Sequence, residues 1–380
     1  MIGCVLLAVA AAVGYEGNLP KFFIDGRPHE PLIDCCGHPS GGRNDYTNIC
    51  AYIRRSTAAF GHRILNLGIC DREYLRGDGT YDWSVLDDRA KMFLEADPEA
   101  KFLIGIRFIY EDWAKRHPGE QVGYACRPLT IGSGDEYAGA PVRPSSASQP
   151  FRAAVFRDLA ALAEHVRAAP WGERVVAVRP CYGCSTEWFS YGTLAFPDCG
   201  QAMTAYFRDW LRRRYGSDAA LRAAWHDGSV SLDTATVPSR REQAPLAFFL
   251  DAAEGRRAID FNRATADSMA DLLLAVAGEI KRLLPGRLVG AYYGYVFEAL
   301  PGSCAVGLYE RVLSSGLVDF FSNPPAYCHD IRKPGGDYGQ KIVPAALRRY
   351  GKIPVVEDDS RLHGFYGICW NSWHGHGTQI

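Results

Sequence analysis

The sequence lacks an excess of charge of either sign. Its 42 basic and 43 acidic residues give a formal net charge of -1. Binding to nucleic acid needs a basic surplus gathered on one face, so the composition does not favour a nucleic-acid partner. The sequence also lacks an apolar run long enough to cross a bilayer, and we predict no membrane span.

The motifs of several large enzyme classes are absent. There is no Gly-x-Ser-x-Gly, no P-loop and no His-Glu-x-x-His, and no Gly-rich phosphate loop follows the first predicted strand. A metal-dependent hydrolase barrel would place paired histidines after its first strand, where this sequence has only His38. Cys181 and Cys184 form a Cys-x-x-Cys pair that fits half a zinc site, a redox pair or a disulfide. We predict neither a metal nor a cofactor.

The amino terminus carries a short apolar run, residues 2–13. Its length is that of a signal peptide and is too short for a transmembrane helix, so we predict a leader over residues 1–20 and a secreted or periplasmic protein. No Lys or Arg precedes the run, and a buried N-terminal strand or helix is the alternative. The 12 cysteines fit an oxidising compartment, although their spacing does not reveal any pairing.

Seven short β-like runs alternate with helical patterns, which is typical of parallel βα units. The runs are 31–36, 63–69, 101–109, 174–183, 287–295, 317–323 and 352–358. They predict an α/β fold, a (β/α)8 TIM barrel over residues 21–380. The eighth unit is not evident in the Gly-rich sequence after residue 363, so we expect the chain to stop before the barrel closes. An open, doubly wound sheet is the alternative fold.

Two glutamates follow strands that would face each other across such a barrel. Glu187 comes after the fourth predicted strand, among aromatic residues in Cys-Tyr-Gly-Cys-Ser-Thr-Glu-Trp-Phe-Ser-Tyr-Gly, and Glu357 follows the seventh. The chemistry of these barrels lies at the carboxyl ends of the strands. One protonated and one ionised carboxyl group are what glycoside hydrolysis needs. We interpret Glu111 and Glu298, also near strand ends, as exposed charges.

Several stretches resemble glycoside hydrolase family 42, the β-galactosidase family of clan A. They are YEDWAKRHPGE, VRPSSASQPFRAAVFRDLAALAEHV and AYFRDWLRRRYGSDAALRAAWHDGSVSLDTATVP, and the resemblance covers roughly residues 30–360. It implies a retaining hydrolase of β-linked glycosides in which Glu187 is the acid/base and Glu357 the nucleophile. It also implies an oligosaccharide, polysaccharide or glycoside substrate, no cofactor and a homo-oligomer.

The resemblance suggests further contacts with the sugar. Arg143 matches an arginine that reaches the substrate in the family, and Thr186 replaces the family's asparagine, which binds the sugar 2-hydroxyl. Trp113 and Asn323 stand at strand ends where sugar contacts are expected. Because Thr186 has a shorter reach than asparagine, β-mannosidase or β-glucosidase specificity and a catalytically inactive carbohydrate-binding barrel stay open as alternatives.

Overall fold

The protein is described from a computed structural model, which covers residues 10–34, 46–61, 64–124, 142–183, 187–189, 198–243, 251–295, 310–323 and 341–356. Its centre is a seven-stranded, all-parallel sheet whose strands follow one another in sequence order. The strands are β4 (Ile33–Asp34), β5 (Ile64–Cys70), β6 (Lys101–Arg107), β7 (Val175–Cys181), β8 (Leu288–Tyr292), β9 (Phe320–Asn323) and β10 (Ile353–Val356). All seven predicted strands are therefore confirmed.

The strand sequences explain their central position. Every residue of β7 and β8 is buried, as is the interior of β6, because strands covered on both faces read as nearly continuous apolar runs. Gly290 of β8 leaves room for a neighbour: a Cβ there would lie 2.2 Å from the ring of Phe320. The sheet is thus packed on both of its faces.

Helices cover the outer face of the sheet. They are α1 (Tyr46–Phe60), α2 (Asp71–Tyr74), α3 (Ser84–Ala96), α4 (Glu111–Arg116), α5 (Gln149–Ala168), α6 (Gln201–Tyr215), α7 (Asp218–Trp225), α8 (Arg240–Gln243), α9 (Arg256–Leu283), α10 (Glu310–Leu313) and α11 (Pro344–Arg349). Ser148 is the N-cap of helix α5, and its Oγ accepts the backbone N–H of Phe151 at 3.0 Å. The helices α6 and α7 pack on the start of α9 around Phe207 and Phe261. Among the described helices, none has the length and apolar character to cross a membrane.

A separate antiparallel sheet of three strands covers the amino ends of the parallel strands. It consists of β1 (Ala11–Glu16), β2 (Leu19–Ile24) and β3 (Arg27–His29). Phe22 and Ile24 pack with residues at or near the starts of six parallel strands. The hydroxyl of Tyr15 donates to the carbonyl of Lys352 at 2.7 Å. This amino-terminal sheet leaves the opposite, carboxyl edge to carry a site.

The strand order separates the two predicted folds. A doubly wound sheet reverses direction at a switch point, whereas this order runs from β4 to β10 without reversal, as in an α/β barrel. Within the described residues β4 and β10 are not paired, and the (β/α)8 barrel with an incomplete eighth unit stays a prediction. The predicted leader covers residues 1–20 and also stays a prediction. Residues 11–16 form β1, whose residues are half-buried or exposed.

Candidate active site at the carboxyl edge of the sheet

Glu187 lies at the carboxyl edge of the sheet, between the ends of β7 and β8. Its neighbour Trp188 fixes this position, since the backbone N–H of Trp188 donates to the carbonyl of Tyr292 at 2.8 Å. The indole Nε1 of Trp188 donates to the carbonyl of Pro180 at 2.8 Å. These two bonds tie the segment after β7 to the last residue of β8. Glu187 therefore lies at the edge where the chemistry was expected, and its role as the acid/base stays a prediction.

Aromatic side chains surround this glutamate. The hydroxyl of Tyr295 donates to Oε1 of Glu187 at 3.0 Å. The rings of Phe189 and Tyr295 lie 6.0 Å apart, and those of Tyr182 and Trp188 lie 5.7 Å apart. Trp188 is only 1% exposed, while the Glu187 side chain is half-buried. The carboxyl group is thus held by a hydrogen bond in largely apolar surroundings and keeps access to solvent, as an acid catalyst requires.

Gly183 makes the approach of the Glu187 segment possible. Its φ is +94°, and a Cβ at this position would lie 2.6 Å from the carbonyl oxygen of Glu187 and 2.4 Å from that of Phe189. No L-residue combines this backbone conformation with this contact at low cost. The turn therefore depends on glycine.

Replacing Gly183 with alanine should lower the free energy of unfolding by about 3 kcal/mol or more, since a backbone clash is added to the left-handed conformation. The control is Gly216→Ala, because Gly216 also has a positive φ, of +71°, and a Cβ added there would meet nothing within 4 Å. That variant should lose only about 1–2 kcal/mol. Urea denaturation measures both, and equal losses would contradict a close approach at Gly183.

Asn323 belongs to the same edge. This fully buried residue ends β9, and its Oδ1 accepts the backbone N–H of Lys341 at 2.9 Å. The ammonium group of Lys341 lies 5.5 Å from the centre of the Tyr295 ring, within cation–π range. Tyr295 and Lys341 thus connect Glu187 to Asn323. The amide of Asn323 is therefore already hydrogen-bonded to the backbone, which gives this residue a structural role at the edge.

Two predicted residues lie outside the described residues, Thr186 and Glu357. The strand register nevertheless fixes where the chain leaves β10. Val356, the last residue of that strand, is paired with Asn323 of β9. Glu357 is the next residue in the chain. Its role as a nucleophile stays a prediction.

Arg143 lies at the rim and is almost fully buried, at 5% exposure. Its Nη1 donates to Oε2 of Glu111 at 3.2 Å and to the carbonyl of Val142 at 2.9 Å. The hydrogen bond from Lys115, aided by the charge of Arg143, holds the pKa of Glu111 below its ordinary value. Glu111, which we interpreted from the sequence as an exposed charge, is therefore paired with Arg143.

Trp113 lies on α4, beyond the end of β6, and is half-buried. The His117 ring stacks on it with centroids 4.1 Å apart, and Phe151 lies 5.8 Å away. One face of the indole is therefore covered by the protein. A sugar could use only the other face.

Sequence reasoning missed two residues that organise this edge, Tyr295 and Asp198. Asp198 is buried and accepts the N–H groups of Gly123 at 3.0 Å and Gly200 at 3.1 Å, and the hydroxyl of Ser145 at 2.6 Å. Burial raises the pKa of this carboxyl group. Tyr295 had a usable signal, because it follows β8 as Glu187 follows β7. Asp198 had none, since Gly123 and Ser145, two of its three partners, are distant in sequence.

The described residues contain no group of three or more His, Cys, Asp or Glu side chains arranged to hold a metal ion. Cys181 is buried at the end of β7, and its Sγ is 3.5 Å from the carbonyl oxygen of Arg179. Cys184 lies outside the described residues, so the three alternatives for the Cys-x-x-Cys pair stay open.

Comparison with known proteins identifies the fold. No protein-family model and no curated protein matches the chain. A β-galactosidase from the psychrophilic Marinomonas ef1 is 18% identical, with a TM-score of 0.54 over 80% of this chain and 42% of its own. The catalytic domain of the β-amylase from Paenibacillus polymyxa is 15% identical, with a TM-score of 0.63 over 86% of this chain and 85% of its own.

A third structure, a catalytic mutant of a GH42 β-galactosidase from G. stearothermophilus, is 15% identical, with a TM-score of 0.56 over 80% of this chain and 41% of its own. The chain therefore spans less than half the length of these β-galactosidases and most of the β-amylase domain. At such identities the likeness concerns the fold and not the specificity. This chain has the fold of these β-galactosidases and of the β-amylase catalytic domain.

Proposed function

We propose that the protein is a glycoside hydrolase of clan A that cleaves a β-linked, β-galactoside-like substrate with retention of configuration. The observation that carries the proposal is the position of Glu187 at the carboxyl edge, hydrogen-bonded to Tyr295, in a fold shared with β-galactosidases. The fold in this proposal is a (β/α)8 barrel whose eighth unit is incomplete in this sequence.

The proposed mechanism is a double displacement. Glu187 protonates the glycosidic oxygen while the ionised carboxylate of Glu357 attacks the anomeric carbon and forms a glycosyl-enzyme. Glu187 then removes a proton from water, and the resulting hydroxide displaces Glu357 from the sugar. Retention requires the two carboxyl groups to lie about 5–5.5 Å apart. The strand register supports such a pair. Val356 is paired with Asn323 at the carboxyl edge, and Glu357 is the next residue in the sequence. Tyr295 contacts both Glu187 and Lys341 at the same edge.

Covalent labelling tests the nucleophile directly. An activated 2-deoxy-2-fluoro-β-galactoside should inactivate the protein and attach one sugar to Glu357, which peptide mass spectrometry locates. Glu357→Gln should abolish both labelling and turnover. Labelling of Asp358 or Asp359 would move the nucleophile but keep the mechanism, whereas products of inverted configuration without any label would refute retention.

The likeness to a β-amylase, which extends over 86% of this chain, supports a second candidate substrate, starch. An assay of reducing sugars released from starch, beside aryl β-galactoside, β-glucoside and β-mannoside, separates the candidates. Release from starch alone would replace the β-galactoside proposal. No hydrolysis of any of these substrates, with binding retained, would favour the inactive carbohydrate-binding barrel.

A further inference from the structure

The outer helical layer contains a cavity that is separate from the Glu187 edge. It has a volume of about 360 Å³, which is within the size range of small-molecule sites. It lies between α5, α6, α9 and α10. Its lining residues are polar, charged or aromatic: Gln149, Arg152, Tyr206, Asp209, Trp210, Arg213, Asp267, Asp271 and Arg311.

The carboxylates of this cavity are already engaged. Asp271 accepts the Tyr206 hydroxyl at 2.7 Å and the Arg311 guanidinium at 2.6 Å. Asp267 accepts the indole N–H of Trp210 at 2.8 Å, and its second oxygen lies 3.8 Å from Arg311. Both carboxylates that α9 contributes to the cavity, Asp267 and Asp271, therefore already accept hydrogen bonds from the protein. Asp209, on α6, is engaged as well, through Arg212 at 2.5 Å.

Two arginines of the lining, Arg152 of α5 and Arg213 of α6, differ from these carboxylates in their hydrogen bonding. Among the described residues, neither guanidinium makes a hydrogen bond or an ion pair. The Nε of Arg152 is buried and has no partner. Arg213 rests over the Tyr206 ring at 5.7 Å, a contact that leaves its N–H edge available. The cavity thus has a surplus of donors that suits an anion.

The rest of the lining suits a sugar ring. Gln149 offers an amide that both donates to and accepts from hydroxyl groups, and the ring of Tyr206, over which Arg213 lies, forms part of the wall. The cavity is also close to the rim, because α5 begins directly after the loop of Arg143. A contact of 2.8 Å between the hydroxyls of Ser146 and Ser268 joins that loop to α9.

We propose that this cavity binds an anionic sugar unit, whose carboxylate or sulfate group is held by Arg152 and Arg213. A guanidinium matches the geometry of both oxyanions through paired N–H donors. The site is distinct from the Glu187 edge, and binding there needs no turnover. It gives the protein a recognition point for acidic saccharides on its helical surface.

The test measures binding to the full chain by calorimetric titration with four probes: sodium D-glucuronate, D-glucose 6-sulfate, D-glucose and sodium sulfate. Glucuronate or glucose 6-sulfate should bind at least about tenfold more tightly than glucose, because only these sugars engage the charged donors. Whichever of the two binds more tightly identifies the acidic group. Sulfate that binds as tightly as both sugars would overturn the saccharide assignment and indicate a plain anion site.

Variants connect the binding to this cavity. Arg152→Gln and Arg213→Gln should each weaken binding of the acidic sugar by at least about tenfold and leave the affinity for glucose unchanged. The control is Arg222→Gln on the neighbouring helix α7, because Arg222 is paired with Asp218 and neither residue lines the cavity. Arg213 is exposed, so its variant tests the proposal even where Arg152→Gln disturbs folding. Unchanged affinity in Arg213→Gln would refute the site.

Discussion

Replacing Glu187 with alanine should lower kcat/KM, which reports formation of the glycosyl-enzyme, by roughly 10²–10⁴-fold for β-glycosides with poor leaving groups, the range that a positioned general acid contributes. Activated aryl glycosides, whose leaving groups need no proton, should lose far less. The contrast follows from the proposed role, because only departure of the leaving group is assisted by the proton of Glu187. Steady-state kinetics on a series of aryl glycosides of decreasing leaving-group acidity measure it.

Two variants control this experiment. Tyr295→Phe removes the donor to Oε1 of Glu187 and should lower kcat by a smaller factor, about tenfold, since the carboxyl group stays in place. Asp112→Asn changes a carboxylate of the same edge whose side chain is 82% exposed, and it should leave kcat unchanged. Equal losses on activated and poor substrates in Glu187→Ala would contradict the acid/base assignment.

Replacing Asp158 with alanine should lower the free energy of unfolding by about 3–5 kcal/mol, the largest loss that we expect from a residue outside the candidate site. Asp158 is 4% exposed on α5 and accepts the hydroxyls of Tyr74 at 3.0 Å, Tyr81 at 2.9 Å and Tyr110. Tyr74 and Tyr110 are buried, so their hydroxyls would lose an acceptor that water cannot replace.

The pKa values of the cluster agree with this arrangement. Burial raises the pKa of Asp158 in spite of its three donors, and burial together with Asp158 raises the pKa of Tyr81 to about 12. The tyrosines therefore stay protonated and donate at neutral pH. Asp158→Asn keeps one acceptor oxygen and should lose only about 1–2 kcal/mol. Urea denaturation compares these variants with Asp112→Ala, which should lie within about 0.5 kcal/mol of the parent. A similar small loss in Asp158→Ala would refute the role of the cluster.

The parallel sheet could be predicted from the sequence because its strands are buried on both faces. Runs such as Lys-Phe-Leu-Ile-Gly-Ile-Arg are nearly continuous in apolar residues, and helical periodicity separates them. Strand ends were less accurate: the run 317–323 contains a strand of only Phe320–Asn323. The position of Glu187 followed from the strand order, since consecutive parallel strands present their carboxyl ends at one edge.

The amino-terminal sheet and the contacts around Glu187 could not be predicted in the same way. Residues 11–14 of β1 are small and apolar, which is the composition of a leader as much as of a strand, and their fit depends on packing against strands far along the chain. The hydrogen bond from Tyr295 to Glu187 likewise joins segments that are distant in sequence, as do the bonds from Gly123 and Ser145 to Asp198. Such contacts are set by tertiary packing and leave no local period.

The amino-terminal sheet has a consequence for the order of folding during synthesis. The bond between Tyr15 and Lys352 joins residues 337 positions apart, and the ring of Phe22 packs 5.3 Å from that of Phe320. A ribosome needs roughly 20–70 s to make a stretch of this length, at about 5–20 residues per second. During that time the apolar residues of the amino-terminal sheet lack part of their native partners, and contacts of such high sequence separation also slow folding. The fold therefore couples a sheet that is made early to strands that are made late, and this part of the core is complete only after translation of β10.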